Sequence, residues 1–312
     1  MILCVAASPS IDKLFETDAV EPGRIHRPQS LVQVPGGKGL NVARAARALG
    51  AEVMATGILA GHAGKWVEEA LAAGGIPARF AWVDGETRSS LSVADRTDRG
   101  LTEFYERGPD VGAEGWSRLE TMVGELLPEA SWVTVSGNLP VGAPPDGYAR
   151  LIAAAAAAGV PAALDSTDEA LALGVKAGPR VAKVNAEEAG TLVGRTIGGL
   201  EEARAAAVEI LGAVGPGDGI AIVTLGAEGA VVASGNGETW VGHLYERGPY
   251  PVGSGDAFLG GFVTALESGN SVRDALCLAL GAGAANAEVP GAGRLEPGRA
   301  RELAARAEVD RI

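Results

Sequence analysis

Short runs that are apolar at nearly every position alternate along the chain with longer stretches of helical period: ILCVAA before LNVARAARAL, VMATGIL before GKWVEEALAAG, WVTVSG before DGYARLIAAAAAA, then AALD, VAKV before AEEAGTLV, and AIVTLG. Runs apolar on both sides of a strand suit a sheet covered on both faces, and the helical stretches between them are the crossovers that parallel strands require. The pattern therefore predicts a layered α/β fold with a mainly parallel central sheet between helices. Towards the C-terminus the period is helical, in DAFLGGFVTALESG, SVRDALCLALGAGAANAE and an amphipathic piece near EPGRARELAARA. These helices are expected to pack on one face of the sheet.

Two segments leave this rhythm, about 12–35 and about 88–107. In the second, SLSVAD, a TDRG turn and LTEFYE alternate like a hairpin. Both predict strands of a smaller sheet that lies as a lid over the ends of the main strands. Such a lid gates substrate or pairs with a second subunit; a plain β extension is the other reading. With no internal repeat or linker, residues 1–312 read as a single domain.

Composition narrows the class. At 312 residues and 47% hydrophobic, the chain can bury a sizeable core. Its formal net charge of -13 argues against nucleic acid and anionic membrane as partners. The opening MILCVAAS has no basic region before it and is cut by Pro9, so it predicts a buried first strand, not a signal or a membrane span. LIAAAAAAGVPAAL is broken by Gly159 and Pro161 and predicts an ordinary helix. Cys4 and Cys277 each lie in an apolar run and read as small buried hydrophobes, which fits a reducing cytoplasm. The three histidines are scattered, never at metal-ligand spacing.

With 46 glycines, no single glycine motif is specific. Neither GGKGL nor AGKW completes a Walker loop, and no GxGxxG follows the first strand, which argues against P-loop NTPases and Rossmann dehydrogenases. Two glycine-rich turns remain, PGGKGLNVARAARAL and VGSGDAFLGGF, each opening a helix. Helix N-termini carry unpaired N–H groups and partial positive charge, so they suit phosphate or polar sugar hydroxyls; each turn also has a plain account as a tight glycine turn. Asp256, at the head of the second helix, reads locally as a helix cap or as a catalytic carboxylate.

Taken in order, ASPSID, PGGKGLNVA, TRSSLSV, SGNLPVGAP, LDSTDEAL, KVNAEEA, VTLGAEGA and VGSGDAF resemble the segments of the ribokinase-like (PfkB) carbohydrate kinases over nearly the whole chain, nearest the branch of 1-phosphofructokinases and tagatose-6-phosphate kinases. The resemblance implies a ribokinase-like three-layer α/β/α sandwich with a small β-sheet lid. It implies an ATP- and Mg²⁺-dependent kinase of a ketohexose monophosphate, fructose 1-phosphate or tagatose 6-phosphate. The edges of the predicted lid, whose unpaired strands need cover, point separately to a homodimer through the lid.

By that resemblance Asp256 is the general base, and the backbone of Gly253, Ser254, Gly255 and Asp256 forms an anion hole for the transferring phosphoryl. Asp12, Gly36, Gly37, Lys38, Asn41 and Asn138 face the sugar, with Arg24 and Arg88 as phosphate clamps. Lys183 reaches the nucleotide phosphates, while Asn185 and Glu188 organise hydrated Mg²⁺; a helix start capped by Asn185 is the alternative. Thr224, Gly226, Gly229 and Asn286 border the nucleotide. The chain departs from the pattern at Asn138, Ser89, Ser90, Val184, Pro251 and Ser254, most of which bear on substrate more than on chemistry. A kinase of an unphosphorylated sugar or nucleoside, and a non-catalytic sugar or nucleotide sensor, are the rival readings.

Overall fold

The computed structural model describes residues 1–97, 100–214 and 217–312. It opens with β1 (Ile2–Ala6), β2 (Ser10–Thr17), β3 (Ser30–Gly36), α1 (Lys38–Ala48), β4 (Val53–Ala60), α2 (Gly61–Ala73), β5 (Ala78–Val83), β6 (Arg88–Asp95) and β7 (Leu101–Tyr105). The middle comprises α3 (Gly112–Leu126), β8 (Trp132–Ser136), α4 (Gly147–Ala157), β9 (Ala162–Asp165), α5 (Asp168–Lys176), β10 (Val181–Asn185), α6 (Ala186–Val193), α7 (Leu200–Leu211) and β11 (Ile220–Thr224). The chain ends with β12 (Ala230–Ser234), β13 (Thr239–His243), α8 (Ser254–Glu267), α9 (Val272–Ala287), α10 (Pro297–Arg306) and β14 (Glu308–Arg311).

Among the described residues the strands form a ten-stranded sheet, in the order β14-β13-β12-β11-β10-β9-β8-β1-β4-β5, and a four-stranded sheet, β3-β2-β6-β7. From β5 to β11 every neighbouring pair is parallel; β12, β13 and β14 extend that edge antiparallel. Alternation along β1 shows the layering directly. Leu3 and Val5 pack with Trp116, Leu119, Tyr148 and Leu151 of α3 and α4, while Ile2, Cys4 and Ala6 pack with Leu40, Leu71, Phe258 and Phe262 of α1, α2 and α8. All of β1 is buried, so a strand apolar on both faces is what this central position demands.

The helices α8 and α9 share the second face, as their continuous helical period predicts, and α10 seals α9 through Ala300 and Leu303. Edge strands β12 to β14 were not foreseen. TWVGH and EVDR are short and partly exposed, so neither carries a burial pattern of its own. No described helix is long and apolar enough to cross a membrane. The small sheet joins both irregular segments: β2 pairs antiparallel with β3 and parallel with β6, and β6 pairs antiparallel with β7. Asp98 and Arg99 of the expected TDRG turn lie outside the described residues.

Candidate active site

The carboxyl ends of β1, β8, β10 and β11, the heads of α1 and α8, and the inner face of the small sheet enclose one cleft of about 980 Å³. A position at the carboxyl ends of parallel strands is where open α/β sheets place their ligands. Both glycine turns open here. Gly37 (φ 91°) precedes α1 and Gly253 (φ 83°) precedes α8, conformations that glycine adopts without the cost a side chain brings. A Cβ on Gly253 would stand 2.7 Å from the Ala292 Cα, so this turn depends on glycine twice over.

Neither helix has a side-chain cap. Asp256 is therefore not spent on capping. Its buried carboxylate Oδ2 accepts a 2.8 Å hydrogen bond from Asn41 Nδ2 on α1. Burial first, then the nearby negative charge of Asp165, pushes the Asp256 carboxyl up to about 7, against the opposing pull of Lys38, the Asn41 bond and Lys183. Two of the first-turn amides beside it, those of Gly255 and Asp256, have no partner among the described residues. The Ser254 amide does: it donates to the Pro251 carbonyl at 3.1 Å, so Ser254 closes the turn and leaves anion binding to its neighbours. Pro251 thus contributes its carbonyl to the loop while supplying no N–H.

Beneath this turn lies a charge cluster built on Asp165, the last residue of β9. Fully buried, it accepts from Lys38 Nζ at 2.7 Å and from Lys183 Nζ at 2.6 Å. Burial opposes its charge, but the two ammonium groups hold the carboxyl below its ordinary range. Lys38 answers in kind: desolvation works against its charge, yet Asp165, Glu188 and Asp256 keep its pKa raised. Asp165 was missed as a site residue in the sequence, although an acid that ends an all-apolar strand is a visible signal. Lys183 is almost fully buried and its Nζ lies against Gly255, beside the free amides.

On the sugar side, Asp12 lines the cleft, accepting from Ser10 Oγ at 2.6 Å and from the Gly37 amide at 3.4 Å. Gly36 is what lets it approach, since a Cβ there would stand 2.0 Å from the Asp12 Cγ. Arg88 also lines the cleft, its guanidinium bonded to Ser90 Oγ at 2.9 Å and to Ser8 Oγ and the Ser8 carbonyl at 3.3 Å. Of the two serines after it, Ser90 faces the cleft, whereas the Ser89 amide bonds Glu106. Asn138 lines the cleft with its Oδ1 accepting from Thr167. Arg24 stands apart. Its side chain is 74% exposed, paired at 3.7 Å with Glu21, and no part of it borders the cleft. Arg107, which follows β7 and was not singled out in the sequence, does line it.

On the nucleotide side, Lys183, Asn185, Thr224, Gly226 and Gly229 all border the same cleft. Asn286 does not. It is fully buried and donates to the Val252 carbonyl at 3.0 Å and to Ser254 Oγ at 3.3 Å, so it braces the turn before α8 instead of bordering a base. Asn185 and Glu188 form a complete capping box: Asn185 Oδ1 accepts from the Glu188 amide and Glu188 Oε2 from the Asn185 amide, both at 2.8 Å. Asn185 thus caps α6, with both of its capping-box bonds made to Glu188. The other Glu188 oxygen, Oε1, is ion-paired with Lys38 Nζ at 3.6 Å. No group of three or more metal-ligating side chains occurs among the described residues. One hard carboxylate fits a magnesium ion that keeps most of its waters and its phosphate ligands, not a dedicated metal cage.

The sequence pattern of the pfkB family carbohydrate kinases matches residues 2–298. Among solved structures, phosphofructokinase-2 from Escherichia coli in complex with potassium is similar at a TM-score of 0.89 and 26% identity, over 98% of either chain. The same enzyme in complex with fructose-6-phosphate gives a TM-score of 0.87 and 25% identity, again over 98% of either chain. A protein from Thermotoga maritima described as a possible 1-phosphofructokinase shares the fold, with a TM-score of 0.87 and 22% identity over 100% of this chain and 99% of its own.

Proposed function

Because the chain belongs to the pfkB family of carbohydrate kinases and is thus an ATP-dependent sugar kinase, we propose that it phosphorylates a ketohexose monophosphate to the bisphosphate, with Asp256 as general base. Fructose 1-phosphate and tagatose 6-phosphate are the expected acceptors, and the similar phosphofructokinase-2 adds fructose 6-phosphate to the panel. The observation that carries the proposal is that a carboxyl held near neutrality, Asp256, shares one cleft with a guanidinium fixed by serines, Arg88.

In this reading Asp256 accepts the proton of the attacking hydroxyl, and its pKa near 7 suits a base that must be free at working pH. The sugar oxygen attacks the γ-phosphorus as the bond to ADP breaks, and the Gly255 and Asp256 amides receive charge on the transferring oxygens. Lys183 balances phosphate charge at the head of α8. Magnesium arriving with ATP would neutralise phosphate charge, with Glu188 holding it through water. Small-sheet closure would exclude water, and the outer face of that sheet would pair with a second copy. An ATP-supplied, reducing cytoplasm is the setting this proposal assumes.

The test is an ADP-release assay with MgATP over sugars, sugar monophosphates and nucleosides, run on the unaltered chain and on Asp256→Asn. The substitution is expected to cost about 10²-fold or more in turnover with ATP still bound; substantial residual turnover would remove Asp256 from the role. A second reading, an unphosphorylated acceptor, draws on two facts: Arg24 is remote from the cleft and each nitrogen of Arg88 already donates to a serine. Under it, Arg88→Ala leaves acceptor affinity unchanged.

A further inference from the structure

One guanidinium outside the reacting groups ties together three parts of the site: α1, the end of β3 and the segment packed on the head of α8. Arg44 lies one turn after Asn41 on α1, on the same face. Its Nη2 donates to Asn41 Oδ1 at 2.8 Å, and Asn41 Nδ2 donates to Asp256 Oδ2 at 2.8 Å. An amide side chain has one accepting and one donating end, and a guanidinium only donates. Arg44 therefore dictates that the oxygen of Asn41 turns away from Asp256 and the N–H turns towards it.

The same group donates through Nε at 3.2 Å and Nη2 at 2.6 Å to the Ala292 carbonyl. Ala292 is the residue packed directly against Gly253 at the head of α8. Nη1 donates at 2.6 Å to the Pro35 carbonyl, where β3 of the small sheet runs into the Gly36–Gly37 turn beside Asp12. Burial pushes the Arg44 pKa down to about 10, so it keeps its charge at neutral pH. A lysine cannot make these directed contacts at once, because it lacks the planar fork.

We infer that Arg44 is a positioning residue for phosphoryl transfer, fixing through Asn41 the amide that faces Asp256 and through Ala292 the turn that opens α8. The inference rests on the reading of Asp256 as base. Its signature is in the pH profile. The charges facing Asp256 are Lys38 on α1, Asp165 at the end of β9 and Lys183 on β10, with Arg44 behind Asn41. Without Arg44 the first three remain, but one positive charge is lost and the Asn41 amide is free to present its oxygen. Both changes disfavour the carboxylate, so the acid limb of kcat moves to higher pH.

The experiment measures kcat and KM against pH for Arg44→Gln, Asn41→Ala and the double variant, each checked for folding by thermal unfolding and for ATP binding. Arg44→Gln is expected to lose about tenfold or more in kcat, to change the KM for ATP by less than about threefold, and to raise the acid limb. The double variant is expected to lose less than the product of the two single losses, because the Asn41 route is shared and only the Ala292 and Pro35 contacts are lost in addition. Losses that multiply, or an Arg44→Gln enzyme with the unaltered kcat and limb, overturn the inference. If Arg44→Gln fails to fold, Arg44→Lys carries the test, with a reduced kcat supporting the role and an unaltered kcat and limb refuting it. Asp256→Asn separates the two claims: turnover in that variant defeats the base reading itself, whereas an inactive Asp256→Asn beside an unaltered Arg44→Gln defeats only the positioning role.

Discussion

At the scale of single residues, the proposed chemistry depends on a contrast between two buried carboxyls. Asp165 is held charged by two lysines, while Asp256, buried nearby and facing that charge, is pushed up to about 7. The sign for catalysis follows from the base being active only when deprotonated. Turnover should be full above about pH 8 and fall as pH drops through about 7, which a kcat profile from about pH 5 to 9 reads directly; a profile flat to pH 5 would exclude Asp256 as the titrating group. How much of this was legible beforehand divides by kind of evidence. Asp256, Asp12, Lys38 and Lys183 stand in motifs, and the structure gathers them at one cleft. Arg24, Asn286 and Asn185 were read from motif position alone; the structure places Arg24 outside the cleft, Asn286 as a brace on the turn before α8 and Asn185 as a helix cap. Arg107 was passed over because what distinguishes it is proximity created by folding, whereas Asp165 carried a signal, an acid ending an all-apolar strand, whose two lysine partners only the fold brings to it.

At the scale of elements, the site is built from two helix heads that lack side-chain caps, and on α8 this leaves the Gly255 and Asp256 amides available. The cost is a backbone that only glycine accepts. Gly253→Ala puts a methyl group at positive φ and within 2.7 Å of the Ala292 Cα. We expect it to destabilise the fold by about 1–3 kcal/mol and to lower kcat more than it raises the KM for the sugar, since the displaced amides are those proposed to receive charge on the transferring oxygens. Thermal unfolding and steady-state kinetics together check this, and an enzyme of unaltered stability and kcat would show that the turn is not constrained. Elements of this kind were legible because their apolar content is high: β1 is buried throughout and α8 at most positions, and α1 and α9 bury most of their apolar residues. The antiparallel edge β12–β14 was not, because it is specified by pairing with β11, a long-range condition no local window contains.

At the scale of the whole molecule, the small sheet has two faces with different demands. Its inner face carries Asp12, Leu14, Ser90, Ser92 and Tyr105 into the cleft. By the pairing register, Phe15, Leu31, Leu91, Val93 and Phe104 fall together on the other face. Leu31 is 55% and Phe104 60% exposed in the single chain. An apolar sheet face left open to water is a candidate for pairing, and β3 and β7 are open edges besides. A second copy laid on this face would bury the outer residues and stiffen the inner ones that close on the sugar. Phe104→Glu should therefore convert a dimer to a monomer in light scattering at micromolar concentration, because a carboxylate cannot be buried there without a partner. Activity should fall mainly through a raised KM for the sugar, since Asp256 and the nucleotide side lie on the large sheet's helices and loops. A variant that keeps its mass would place the self-association surface elsewhere. A monomer with unaltered KM would separate assembly from lid closure and leave the small sheet to gate the cleft alone.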